Sequence, residues 1–364
     1  SATGALLPKH LLQDVSPADV QKSPFARKPV YTGPFMVQSW QTGEGLTFAA
    51  FPDAFAGPPT LATLVGRDYP DQTTAINALR TGESQLGFVA PDQFDQFARD
   101  PTFRTQQLAG SQGVFLTFDL TNPLFADKRV RQAISHAIDR KALIAALFRG
   151  KADPSFGVAS PLSWLYNPDA PRFDFDVAQA KQLLDAAGWQ PGADGIRAKD
   201  GKKFSFTMDV VTGGAATQDV VALQPFLKAV GIEFQINELE FGTYIARHVV
   251  GKYEASYFSW ANFIIDPRED LQEQFESPRA ADYSGYDNAQ VNQLFQQARA
   301  ATSRDDEKKL YDQIQQITGD DAVYVYLWRP QPLLVARNTL ALPTVKIPAE
   351  LFARAAEWAT SAER

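Results

Sequence analysis

From Phe204 onward the apolar positions follow two rhythms in turn. Phe204, Phe206, Met208 and Val210 recur at every second position and predict a strand over 204–211. Thr217–Val230 has helical spacing and ends at Gly231. Ile232–Leu239 returns to period two, with Ile232, Phe234 and Ile236 on one face. Phe241–Val250 predicts a second helix ended by Gly251, and Tyr253–Ser259 a third strand. This β-α-β-α-β order predicts a parallel sheet with right-handed crossovers. Open α/β sheets bind ligands outside the carboxyl ends of their strands. Here those ends are Thr212-Gly213-Gly214, Glu240-Phe241 and Trp260-Ala261-Asn262.

Upstream, residues 1–45 are Pro-rich and predict irregular chain with a turn at Thr32–Phe35. Leu46–Phe51, Leu61–Val65, Leu86–Val89 and Val114–Asp119 read as strands. Asp71–Thr81 reads as a helix capped by Asp71 and stopped by Gly82. Asp127–Phe148 reads as one amphipathic helix through Val130, Ile134, Ile138, Ile144 and Leu147. A further helix follows, with Asp176 as cap and Gly188 as stop. Downstream, helices are expected at Ala289–Ala301 and Asp305–Thr318, strands at Val323–Leu327 and Leu333–Ala336, and a polar helix at Ala349–Ala362.

At 364 residues the chain exceeds what one core serves, so two lobes are expected. A net charge of −7 disfavours a nucleic-acid partner, which needs a basic face. The absence of cysteine removes disulfides, thiolate nucleophiles and cysteine metal sites. No apolar run is long enough to span a membrane. The opening S-A-T-G-A-L-L-P-K-H lacks a charged and then apolar leader, so any signal peptide is expected to be already removed or to lie outside this sequence. His10, His136 and His248 lie far apart with no partner at metal-ligand spacing, and no cofactor is expected. No G-x-S-x-G elbow is present, and a non-enzyme is expected. Arg129, Arg131, Arg140 and Lys141, interleaved with Asp127 and Asp139, read as a solvated or salt-bridged helix face.

Six segments in order carry a resemblance. They are L-P-K-H at Leu7–His10, T-G-P-F at Thr32–Phe35 and A-L-R-T-G-E at Ala78–Glu83. The others are F-A-D-K-R-V-R-Q-A-I-S-H-A-I-D-R-K-A-L at Phe125–Leu143, A-K-Q-L-L-D-A-A-G-W at Ala180–Trp189, and G-K-Y-E-A-S-Y-F-S-W at Gly251–Trp260 with Asp266-Pro267 after it. Together the chain resembles the extracellular solute-binding protein family 5 of bacterial ABC importers. The resemblance implies an α/β, two-lobed periplasmic-binding-protein-like fold (type II, peptide-binding class) with a hinge and a ligand cleft between the lobes. The first lobe is placed at 1–114 plus 328–364 and the second at 115–327. Relatives carry roughly 150 residues ahead of the L-P-K-H element, a domain's worth of chain, so a cleaved or separate N-terminal fragment of the same protein is an expected partner.

The resemblance further implies capture of a small solute, an oligopeptide foremost, by hinge closure, and delivery to a membrane ABC permease. A periplasmic or extracellular location follows, with lipoprotein anchoring as one form of it. Trp260, Asn262, Phe263 and Gly213 are the candidate ligand residues of the second lobe, with Asp266 beside them and Asp92 facing from the first. Trp260 is either a ligand-stacking or a core aromatic, and the resemblance favours the first. Asp266, before Pro267, also reads as a turn residue. Peptide-binding relatives often hold the peptide ammonium with an Asp three residues after this Trp, where the chain has Phe263. Two other classes remain open: the ligand-sensing half of a transcriptional regulator of this fold, and a carboxylate-dependent hydrolase.

Overall fold

A computed structural model describes residues 7–30, 32–55, 57–213, 215–261 and 266–360. The chain forms two compact units, residues 1–109 with 332–364, and residues 110–331.

The first unit is built on short antiparallel sheets. Phe35–Gln41, Gly45–Ala50 and Thr63–Arg67 pair in sequence order. In a second sheet Leu333–Arg337 lies between Leu86–Phe88 and Phe103–Gln107. Asp71 caps the helix Gln72–Thr81 by accepting from the Thr74 amide, and that helix buries Ile76 and Leu79. The irregular reading of residues 1–45 is thus corrected by the strand Phe35–Gln41, where Phe35 and Val37 are buried. The expected C-terminal helix is also shorter. It runs only over Pro348–Ala353, and the chain turns at Ala355–Glu357 to bury Trp358 and pair Ala359–Thr360 with Leu340–Ala341. Burying a large aromatic outweighs the helix preference of a polar stretch.

The second unit holds a six-stranded sheet in the order Glu233–Leu239, Ser205–Val211, Ala255–Ala261, Gln112–Phe118, Val325–Pro330, Ala152–Pro154. Ser205–Val211 pairs in parallel with both its neighbours, as the β-α-β-α-β rhythm requires. The remaining pairings are antiparallel, so the sheet is mixed. Alternation sorts its side chains to two faces. Leu116, Phe118, Phe206, Met208 and Tyr257 join a core with Phe125, Ile134 and Leu184. Phe115 and Phe258 join another with Leu271, Phe295 and Tyr311. Both faces are therefore covered by helices.

The long helix expected over Asp127–Phe148 is two helices, Lys128–Ala137 and Arg140–Phe148. Ile138 and Asp139 are extended, and the Asp139 carboxylate accepts from the Ala142 amide. Aspartate competes well for a helix start and poorly for a helix middle, so a cap displaces continuity there. Both helices still feed one core because Ile134, Ile138 and Leu143 keep their apolar spacing.

The reading of this segment's arginines as a solvated or salt-bridged face is corrected for Arg131 and Arg140. Arg129 does pair with Asp127 at 2.6 Å. Arg131 and Arg140, however, are buried and donate mostly to backbone carbonyls. Arg131 reaches Phe125, Asp321 and Ala322; Arg140 reaches Ser135 and Tyr326. Burial pushes both guanidinium groups down to about 10, so they stay charged at neutral pH. A guanidinium presents five donors in a fixed fork and can serve carbonyls of several segments at once.

Candidate functional site

The second unit's register gathers its strand ends on one edge. Trp260 lies opposite Gly113 and Ala261 opposite Gln112, so the carboxyl end of Ala255–Ala261 meets the start of Gln112–Phe118. Val325–Pro330 runs antiparallel to Gln112–Phe118, which brings Trp328 beside Val114 on the same edge. The chain therefore enters and leaves this unit at the edge where an open sheet places its ligand.

Trp260 is half-buried, and its indole N–H donates to the Asp270 carboxylate. Asp270 sits in the first turn of the helix Arg268–Phe275. The Trp260 ring lies 5.8 Å from that of Phe258, which ties it to the helical core below. Behind it is a small cavity of about 10 Å³, lined by Trp260, Asp270, Gln274, Tyr326 and Arg329 among others. That is at the lower limit for one water molecule. Gln274 and Tyr326 line it, and the buried Gln274 Oε1 and Tyr326 hydroxyl have no hydrogen-bond partner among the described residues.

Arg329 is the charged element of the site. It is buried, and its Nη2 donates to the carbonyls of Gly157 at 2.7 Å and Val158 at 2.6 Å. Its Nη1 reaches Ser111 O at 3.4 Å. Burial pushes its guanidinium down to about 10. Gly113 packs closely against this guanidinium: a Cβ there would stand 3.3 Å from Arg329 Nη1. On the far side of Gly157 a cavity of about 120 Å³ is lined by Phe156, Tyr166, Arg172, Gln315 and Arg329 among others. Arg140 and Arg172 lie 5.0 and 5.4 Å from the Phe156 ring.

Of the residues expected at the site, Trp260 lies within the carboxyl end of Ala255–Ala261 and Gly213 just beyond that of Ser205–Val211. Gly213 is exposed with φ +83°, a left-handed turn that favours glycine. Asn262 and Phe263 lie outside the described residues. Asp266 is bound to Arg268, whose Nε stands 3.0 Å from both carboxylate oxygens. Asp92 belongs to the first unit, in the first turn of the helix Pro91–Phe97, and accepts from Gln93 Nε2 at 3.0 Å. Arg329, Asp270, Gln274 and Tyr326 were not anticipated. One signal was readable: an arginine closing the apolar run V-Y-V-Y-L-W is a charge with strong reason to be buried and satisfied. Among the described residues no cluster of three or more His, Cys, Asp or Glu could hold a metal ion. No described helix is long and apolar enough to cross a membrane.

The two units and the candidate site at the strand ends describe an architecture, and comparison with known proteins gives its family. Residues 2–282 match the model for bacterial extracellular solute-binding proteins, family 5 Middle, and the chain belongs to this family. It is 30% identical over 346 residues to the oligopeptide-binding protein AppA of Bacillus subtilis, covering 93% of this chain and 63% of that one. It is 24% identical to the dipeptide-binding protein of Escherichia coli, covering 87% of this chain and 58% of that one. The chain thus spans about three fifths of the length of these relatives. The fold is the type II binding-protein fold. The solved structure of B. subtilis AppA with a nonapeptide superposes with a TM-score of 0.83 at 29% identity, covering 98% of this chain and 72% of that one. NikZ of Campylobacter jejuni, solved with Ni(L-His), superposes at 0.85 with 22% identity, covering 97% and 72%.

Proposed function

We propose that this chain is the solute-capturing part of an extracytoplasmic binding protein serving a bacterial ABC importer, and that its solute is an oligopeptide. The observation that supports this most is the family match over residues 2–282, joined by the likeness to nonapeptide-bound AppA. Trp260 is the stacking surface for the solute, fixed in orientation by Asp270 beneath it. Asn262, Phe263, Gly213 and Asp266 contribute from the same unit and Asp92 from the other. The mechanism is non-covalent: closure about the two chain crossings near residues 109–110 and 331–332 makes the loaded state distinct, and a membrane permease reads that difference. Catalysis has no part in it. A lipid anchor on the whole protein is compatible with this role.

The test is native mass spectrometry of the purified protein for a retained solute. Titration with mixed di- to nonapeptides, followed by tryptophan fluorescence, comes next. A retained peptide, or binding tighter than about 10 μM, supports the proposal. Failure of the intact protein to bind any peptide below about 1 mM sinks it.

A further inference from the structure

The cavity of about 120 Å³ beside Gly157 lies wholly within the second unit. At about 30 Å³ per water molecule it has room for about four waters, or one small molecule of similar bulk. Its lining is of two kinds. Pro154, Phe156, Ala159, Pro161 and Ala170 are apolar, whereas Tyr166, Asn167, Arg172 and Arg329 bring polar groups. No Asp or Glu is among the described residues that line it. Arg329 is buried, with its Nη2 on the carbonyls of Gly157 and Val158. The carboxylates acting on it, Asp270 and Asp153, have other partners: Asp270 takes the Trp260 indole N–H, and Asp153 takes Gln331 Nε2 at 3.0 Å. Arg172 is exposed at the rim, and its Nη2 donates to the Tyr166 hydroxyl at 3.1 Å and to Pro168 O at 3.3 Å. Among the described residues the Nε and Nη1 groups of Arg172 and the O–H of Tyr166 have no acceptor. The lining therefore carries two cations and no anion, and burial makes such a charge costly to leave unmatched.

We propose that this cavity is a binding site for a short-chain aliphatic monocarboxylate. The head group takes the open donors of Arg172 and Tyr166, and the Arg329 charge stands behind it. A guanidinium fork matches the two oxygens of a carboxylate better than it matches a spherical halide. The tail covers Pro154, Ala159 and Ala170, which a halide would leave bare. The volume limits that tail to about three or four carbons. The inference rests on no part of the peptide reading. The cavity shares only Gly157 and Arg329 with the smaller one behind Trp260.

The test is saturation-transfer NMR on the purified protein with sodium butyrate as probe, and with acetate and chloride at matched ionic strength for comparison. Butyrate is expected to bind saturably, with a Kd near about 1 mM. A buried methylene is worth about fourfold in affinity, so butyrate should bind about tenfold tighter than acetate, and chloride should not displace it. Two variants locate the site. Arg172→Gln removes the exposed cation, and Ala170→Leu fills the cavity. Each should weaken butyrate binding at least ~10-fold while keeping the parent's circular dichroism, and either variant that keeps it decides the question. Arg354→Gln, which alters an exposed arginine of the first unit, should leave butyrate binding unchanged. No saturation by about 100 mM, acetate or chloride binding as tightly as butyrate, or unchanged butyrate affinity in a folded cavity variant overturns the proposal.

Discussion

Replacing Asp219 by asparagine should change how stability depends on pH. Asp219 lies buried in the helix Ala215–Ala229 and accepts from the Tyr257 hydroxyl at 2.5 Å. Burial pushes its carboxyl up to about 6 from 3.8. Between those values the folded protein keeps a proton that the unfolded chain has released, so stability falls as pH rises, by ~3 kcal/mol in all. His248 has the opposite sign. It is stacked on Phe258 at 3.8 Å, and burial pushes its imidazole down to about 4 from 6.5. Between those values the unfolded chain binds a proton that the folded protein refuses. Stability then rises with pH, again by ~3 kcal/mol. In the parent the two slopes nearly cancel. Asp219→Asn keeps an acceptor for Tyr257 and removes one slope. Its stability relative to the parent should therefore be near the parent's offset at about pH 4 and grow by ~3 kcal/mol by about pH 7. His248→Phe should show the reverse drift. Urea unfolding across this range measures both differences. A difference between Asp219→Asn and the parent that stays constant with pH would refute the assignment of the proton to Asp219.

Three further outcomes are expected. Arg329→Met strands the carbonyls of Gly157 and Val158, and should cost ~2–5 kcal/mol in denaturant unfolding; a loss below ~1 kcal/mol would show that the staple is dispensable. Asp139→Ala removes the cap that splits the Asp127–Phe148 segment into two helices and should cost ~1 kcal/mol, with no cost expected if the break is set by packing alone. Trp260→Phe loses the indole donor to Asp270 and should weaken solute binding about tenfold, ~1.4 kcal/mol, with the unfolding midpoint nearly unchanged; unaltered affinity in a titration would remove Trp260 from the site.

Strand and helix positions of the second unit were readable because burial there follows local period. Phe204, Phe206, Met208 and Val210 alternate in sequence, and all four are buried. What local period cannot carry is long-range satisfaction. Arg131 and Arg140 sit in a charge-rich run that looks solvated, yet their partners include carbonyls 186 to 191 residues away. Arg329 likewise owes its place to Ser111, Gly157 and Val158. The strand-end rule found Trp260 because it depends only on direction. Asp270 and Gln274 escaped it because they reach the site from a helix outside that rule.

The strand order of the second unit also sets a schedule for its synthesis. Val325–Pro330 lies inside the sheet, between Gln112–Phe118 and Ala152–Pro154, yet it is the last of these strands to be translated. At ribosomal speeds of about 5–20 residues per second, Gln112–Phe118 waits on the order of 10–40 s for that neighbour. Through this interval Leu116 and Phe118, which end up wholly buried, have no complete sheet to enter. The three arginine staples close over the same span, since Arg131 and Arg140 reach forward to residues 321–326 and Arg329 reaches back to 111 and 157–158. This unit therefore sets late and all at once. A nascent chain halted before residue 325 would present an unfinished sheet to whatever cellular machinery holds it.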